Sequence, residues 1–215
     1  MLLTKPFFDK MGIKQPQYTA VLKNMFSDVS DFIFCNPAKQ KIDVDKKSIP
    51  ILEKMKHGGI FLTAHYGNHE LLGYKLVELG LPLRAAAQEQ KPAIFDKWLQ
   101  KKRSFKGKCF AQKVDSKRLM DFIDDGGLFA MLADQRGRSD CMDKFLGLEV
   151  HCNPLPAFIL EHRPNTPVFC GCLKEDTLFV ENIPADNFYA HYHSWLEHLI
   201  LKKPAKWYGW FHNRF

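Results

Sequence analysis

The stretch "IFLTAHYGNHELLGYKL", Ile60 to Leu76, decides how this chain folds. "IFLTA" is a short apolar run with the length and composition of a buried strand. His65, Gly67, Asn68, His69 and Glu70 then interrupt it, and apolar residues at helical spacing follow to Glu78, with Gly80 in the position that ends helices. Strand, polar break and helix in 21 residues describe one half of a crossover unit. On a continuous helix, His65 and Glu70 would lie about 140° apart around the axis and could not meet. If His65 ends a strand and Glu70 opens the helix, Gly67 and Asn68 can fold the chain back and bring them together. A carboxylate against one imidazole nitrogen fixes the tautomer and leaves the other nitrogen as a general base. Backbone amides near Gly67 and Asn68, at the helix N-terminus, suit an oxyanion or phosphate.

Three readings of this break stand side by side. His65 and Glu70 form a base and its orienting acid; or His65 is an ordinary strand-end histidine and Glu70 a charge favourable to the helix dipole. The third is a metal site of His65, His69 and Glu70, as in a metal-dependent hydrolase. Gly67 breaks the helix that such i, i+4 spacing requires.

Working outward, the remaining segments repeat the pattern. Residues 16–34 carry Val21, Leu22, Met25, Val29, Phe32 and Ile33 at helical spacing, and 46–57 read as a second, basic helix. "LPLRAAAQ" is a strand, 93–103 a basic helix, "GKCFAQ" a short strand and "SKRLMDFIDDGG" a helix with a double-glycine stop. "GLFAMLADQRGR" holds a strand over Leu128–Ala133; 154–162 are helical; "TPVFCGCLK" and "TLFVENI" are neighbouring strands; 187–202 form a helix. Strands alternating with helices predict an α/β fold, a single domain whose mostly parallel central sheet is covered by helices on both faces.

At 215 residues, with 46% hydrophobic and 26% charged residues, the chain can bury a substantial core and is not disordered. Its net charge of +7 favours anionic partners: a phospholipid surface, a phosphorylated or acidic substrate, or nucleic acid. That charge reads as many short clusters rather than one block. Without zinc-finger spacing or an aromatic ribonucleoprotein motif, nucleic acid is set aside as a partner. Six cysteines show no secreted-scaffold pattern, and no signal-peptide core opens the chain, which points to a reducing compartment. No run approaches the roughly 18 apolar residues of a membrane span.

Four blocks taken together resemble the late acyltransferases of lipid A biosynthesis, the lauroyl/myristoyl transferase family with its H-x4-D/E motif. They are "TAHYGNHE", "LADQRGR", "KFLGLEVHCNPLPAFIL" and "KWYGWFHNRF", in order and spacing over about residues 50–215. His69 stands where an aromatic residue is usual. The resemblance implies a glycerolipid-acyltransferase-like fold, with residues 46–215 as the acyltransferase domain and 1–45 as an N-terminal helical segment lacking the family's anchor helix. It further implies that His65 is the general base, Glu70 its orienting carboxylate and Asp134 a required acid. Arg103, with Lys102 as rival, matches an arginine the family uses. The implied donor is an acyl-carrier-protein or acyl-CoA thioester, and the acceptor a hydroxyl of a lipid A precursor or related anionic glycolipid; besides the metal-dependent hydrolase, the alternative is a non-catalytic lipid- or carrier-binding module that kept the fold. The implied place is the cytoplasmic face of the bacterial inner membrane, with the protein peripheral to it and no cofactor or metal required.

Other residues complete the expected site. Asn68, Arg136 and Arg138 are candidate substrate contacts, the arginines on a loop leaving the Leu128–Ala133 strand. Cys170 and Cys172 share one strand face and read as buried thiols, although His191 and His193 could be imagined with them around a metal. Trp207 and Trp210 are expected to close the core, with Lys202, Lys203 and Lys206 turned toward phospholipid.

Overall fold

The computed structural model of the protein describes residues 17–211, apart from 107, 114, 136, 138 and 139. The architecture is α/β, with a mostly parallel central sheet. In chain order the elements are α1 (Tyr18–Phe34), β1 (Asp43–Val44), α2 (Ile49–Met55), β2 (Gly59–Thr63), α3 (His69–Glu78), β3 (Leu83–Ala86) and α4 (Ala93–Lys102). Next come β4 (Ser104–Phe105), β5 (Lys108–Cys109), β6 (Ala111–Gln112), α5 (Ser116–Asp124), β7 (Leu128–Leu132), β8 (Met142–Phe145) and β9 (Leu148–His151). The chain continues through α6 (Leu155–His162), β10 (Val168–Lys174), β11 (Thr177–Ile183) and α7 (Phe188–Lys202).

Among the described residues, seven strands form the central sheet in the order β1-β11-β10-β2-β7-β3-β6, and only the β10–β11 pair is antiparallel. β2 and β7 lie at its middle and are buried along almost their whole length, which explains why both read as unbroken apolar runs. Alternation sends Ile60 and Leu62 to one face, with Val21 of α1, Leu119 of α5, Ile159 of α6 and Leu196 of α7. Phe61 points to the other face, with Met55 of α2 and Leu71, Leu72 and Leu76 of α3.

The double-glycine stops have a shared cause. A Cβ on Gly58 would sit 2.5 Å from the Gly126 carbonyl, and Gly59 donates its N–H to Gly127 at 3.1 Å. The turns entering β2 and β7 therefore pack back to back, aligning the starts of the two central strands. The sequence reading missed the edge strand β1, the short β4 and the β8–β9 hairpin, and treated as one strand what the structure divides. The β8–β9 hairpin is a separate two-stranded ribbon, and "GKCFAQ" divides between β5, paired with β4, and β6, the sheet edge beside β3. Among the described residues, no helix is long and apolar enough to cross a membrane.

Candidate active site

β2 and β7 are parallel and in register, with Thr63 opposite Leu132. Ala133 continues the ladder by donating its N–H to the Thr63 carbonyl at 2.9 Å. Two residues beyond each strand, at the carboxyl edge where parallel sheets gather ligands, stand His65 and Asp134. Asp134 accepts the backbone N–H of His65 at Oδ2 (3.0 Å), and its Oδ1 lies 2.9 Å from His65 Nδ1. A third donor, Trp207 Nε1, reaches Oδ2 at 2.8 Å. The carboxylate is 1% exposed, so these bonds replace its water.

The electrostatics follow from that enclosure. Burial alone would raise the Asp134 pKa, but the His65 imidazole and the Trp207 indole hold the carboxyl well below the usual carboxylate range. Burial alone would depress His65; the Asp134 charge and hydrogen bond more than offset it, with a further contribution from Glu70, so its pKa is raised. An ionised Asp134 can only accept, so the proton on neutral His65 sits at Nδ1 and Nε2 carries the lone pair. Gln135 brings its side-chain amide to 3.5 Å from Nε2.

This geometry corrects the pairing read from the sequence. Asp134, and not Glu70, orients His65. Gly67 turns the chain at φ +63°, and Asn68 caps α3 by accepting the Leu71 N–H at 3.0 Å. Glu70 thereby meets Arg103 at the end of α4 instead. Arg103 Nε donates to Oε2 at 2.9 Å and Oε1 at 3.2 Å, and Nη2 also reaches Oε1, a forked pairing. These hydrogen bonds hold Glu70 below its ordinary pKa despite its burial. Of the two cations weighed for this position, the structure brings Arg103 to Glu70 and leaves Lys102 over the Trp98 ring, 5.9 Å from its centroid.

Asn68 is likewise engaged by the fold. Its Nδ2 donates to the Asp28 carbonyl of α1 at 3.0 Å while its Oδ1 caps α3. The Gly67 N–H goes to the Lys206 carbonyl at 3.0 Å, so this amide is not presented to an oxyanion. Arg136 and Arg138 lie outside the described residues. The segment after α7 belongs to the site, although the sequence reading gave its tryptophans only a packing role. Trp207 is fully buried and Trp210 nearly so, and Tyr208 donates its N–H to the His65 carbonyl at 2.8 Å. Trp207 thus both fills the core and holds the acid. Only its place in the closing block of the resemblance signalled the second role.

His69 opens α3 with its ring centroid 5.0 Å from that of His65. Its Nδ1 is enclosed with no hydrogen-bond partner, and burial, aided by His65, pulls its pKa down to about 4. His69, Glu70 and Arg103 border a cavity of about 70 Å³ between α3 and the sheet. Leu72, Leu76, Phe110, Ala130 and Met131 give the cavity apolar walls. Cys170 and Cys172 are buried in the core, where lost hydration pushes the Cys172 thiol up to about 12. His193 pairs through Nδ1 with Asp143 at 2.5 Å, tying α7 to β8. Among the described residues, no three His, Cys, Asp or Glu side chains are grouped to hold a metal ion.

The site can therefore present a basic nitrogen beside a helix start and an apolar cavity. No family model matches the chain, and no curated protein matches it.

Proposed function

We propose that the protein is an O-acyltransferase of the glycerolipid-acyltransferase type. It moves a fatty acyl chain from an acyl-carrier-protein or acyl-CoA thioester to a hydroxyl of a lipid A precursor or related glycolipid. The observation that carries the reading is His65 held through Nδ1 by a buried, thrice-bonded Asp134 at the sheet's carboxyl edge. The four-block resemblance supports the choice of substrates.

In this reaction His65 Nε2 takes the acceptor's hydroxyl proton as the oxygen attacks the thioester carbonyl. Asp134 stabilises the imidazolium that forms and prevents the ring from turning. The tetrahedral intermediate collapses with cleavage of the C–S bond, and the thiolate takes the proton from His65. No protein nucleophile is needed. The Glu70–Arg103 pair fixes the start of α3 against the end of α4 and sets a guanidinium at the cavity border, where it suits the phosphates of donor or acceptor. A hydrolase using His65, His69 and Glu70 around a metal is less well supported, because Glu70 is engaged by Arg103. The site of action under this reading is the cytoplasmic face of the bacterial inner membrane.

The test is release of the carrier or coenzyme thiol from a long-chain donor, with and without glycolipid. The wild-type protein should require the acceptor, and His65→Ala should lower the rate by about 10³-fold or more. Equal rates for the two proteins would refute the assignment, and acceptor-independent release would mark a hydrolase.

A further inference from the structure

The chain's positive charge is concentrated in one place, contrary to the scattered pattern first read from its sequence. Between Lys91 and Arg118 fall ten of the 31 Lys and Arg residues but only two of the 24 Asp and Glu. That segment carries +8, while the whole chain carries +7. It spans α4, the β4–β5 hairpin and the edge strand β6, so the excess charge borders one edge of the sheet.

Within this segment α4 has an unusual face. Leu99 is its single buried residue, whereas Ile94 is 81% exposed and Phe95 41%. Trp98 stacks on Phe95 with centroids 5.7 Å apart, so the outward ridge is a continuous apolar surface. At 100° per residue, Lys97 and Lys101 flank Ile94 on one side of the ridge, and Lys102 falls between Trp98 and Phe95, its Nζ 5.9 Å from the Trp98 ring centroid. Lysines with apolar stems around an aliphatic and aromatic centre match the interface of an anionic bilayer: ring and chain enter the headgroup region while the ammonium groups meet lipid phosphates. A nucleic acid would satisfy the charges but not the apolar ridge. Arg103 lies about 180° around the helix from Ile94, turned inward onto Glu70. One helix thus has a lipid-compatible outer face and an inner end bordering the cavity.

We infer that α4 docks the protein on an anionic membrane, inserting Ile94, Phe95 and Trp98 with Lys97, Lys101 and Lys102 on phospholipid headgroups. This extends the proposed function by naming the surface that would bring the cavity to a membrane-borne acceptor. It is tested by binding alone, so its failure and the failure of the acyltransferase reading are distinguishable.

The full chain is sedimented with vesicles of phosphatidylglycerol and phosphatidylcholine, and with phosphatidylcholine alone. Binding should need the anionic lipid and weaken with added salt. Lys97→Gln, Lys101→Gln and Lys102→Gln together should weaken it about 100-fold, near fivefold per lysine. Ile94→Ser with Phe95→Ser should weaken it at least tenfold with the thermal midpoint unchanged, since both side chains are exposed. Lipids brominated on their chains should quench tryptophan emission in the wild type and not in Trp98→Phe. The inference is overturned if vesicles are not bound, if the variants bind as the wild type does, or if the lysines instead govern binding to RNA or to an acidic carrier protein.

Discussion

Asp134→Asn is the substitution whose consequence can be worked most fully from the geometry. Three donors converge on the carboxylate: the His65 N–H and Trp207 Nε1–H on Oδ2, and His65 Nδ1–H on Oδ1. An asparagine retains two of these bonds by placing its single oxygen at the Oδ2 position. Its amide N–H₂ then faces Nδ1, which must become an acceptor, and the imidazole proton moves to Nε2. The fold is kept, but the nitrogen that should remove a proton now carries one. By analogy with an Asp→Asn change in a serine-protease triad, the rate should fall by about 10⁴-fold, or roughly 5.5 kcal/mol of barrier. The pH dependence should move as well. His65 must be neutral to act, and its raised pKa places the rising limb of the wild-type profile above 6.5. Without the Asp134 charge, burial becomes the dominant influence, so the residual activity should rise below 6.5. The assay is initial thioester cleavage as a function of pH, with ¹⁵N-labelled histidine reporting the tautomer. A variant with wild-type rate, an unmoved limb and a proton still on Nδ1 would rule out this role for Asp134.

Glu70→Gln separates the two candidate orienting acids: Glu70 only adds to the field on His65, so the limb should shift down by less than in Asp134→Asn, and an equal shift would restore Glu70 to the orienting role. His69→Phe should raise the thermal midpoint near neutral pH by about 2–4 °C, by replacing an enclosed, unpartnered nitrogen with an apolar ring. It should also flatten the stability profile below 6.5. The folded pKa of about 4 lies under the unfolded value, so wild-type stability is lost as pH falls through that window, by on the order of 3 kcal/mol. Denaturant midpoints measured across that range would check it, and an unchanged slope would contradict it. Trp207→Phe removes the indole donor to Asp134 and leaves a small gap against Phe145 and Trp210. A loss of about 2 kcal/mol, or roughly 4–8 °C in the melting temperature, is expected together with reduced activity.

The strand–turn–helix at Ile60–Leu76 was legible because every local signal agrees: an apolar run, a glycine that can take positive φ, an asparagine cap and a helical apolar stripe. The partner of His65 was not. Glu70 is near in sequence, whereas Asp134 is 69 residues away and reaches His65 only through the register of β2 on β7. A single sequence carries no record of that register. The β8–β9 hairpin was hidden for a different reason. Its turn is Leu146–Gly147 with both residues at positive φ, and leucine there gives none of the Asn-Gly or Asp-Gly signal that announces such turns. Trp207 was read as packing because an indole that fills a core and one that donates to a buried carboxylate look alike in sequence. The concentration of charge around α4 was missed because its lysines are broken into short groups by apolar residues, and only the helix gathers them around one apolar ridge.

Acyl transfer by this protein is measured most directly as the mass of the glycolipid product formed by purified protein from an acyl-carrier-protein or acyl-CoA donor and a lipid A precursor. An added acyl chain on a hydroxyl is expected from the wild type, reduced at least about 10³-fold in His65→Ala. Acylated product formed equally by both proteins, or no acylated product from the wild type with either donor, would contradict the acyltransferase assignment.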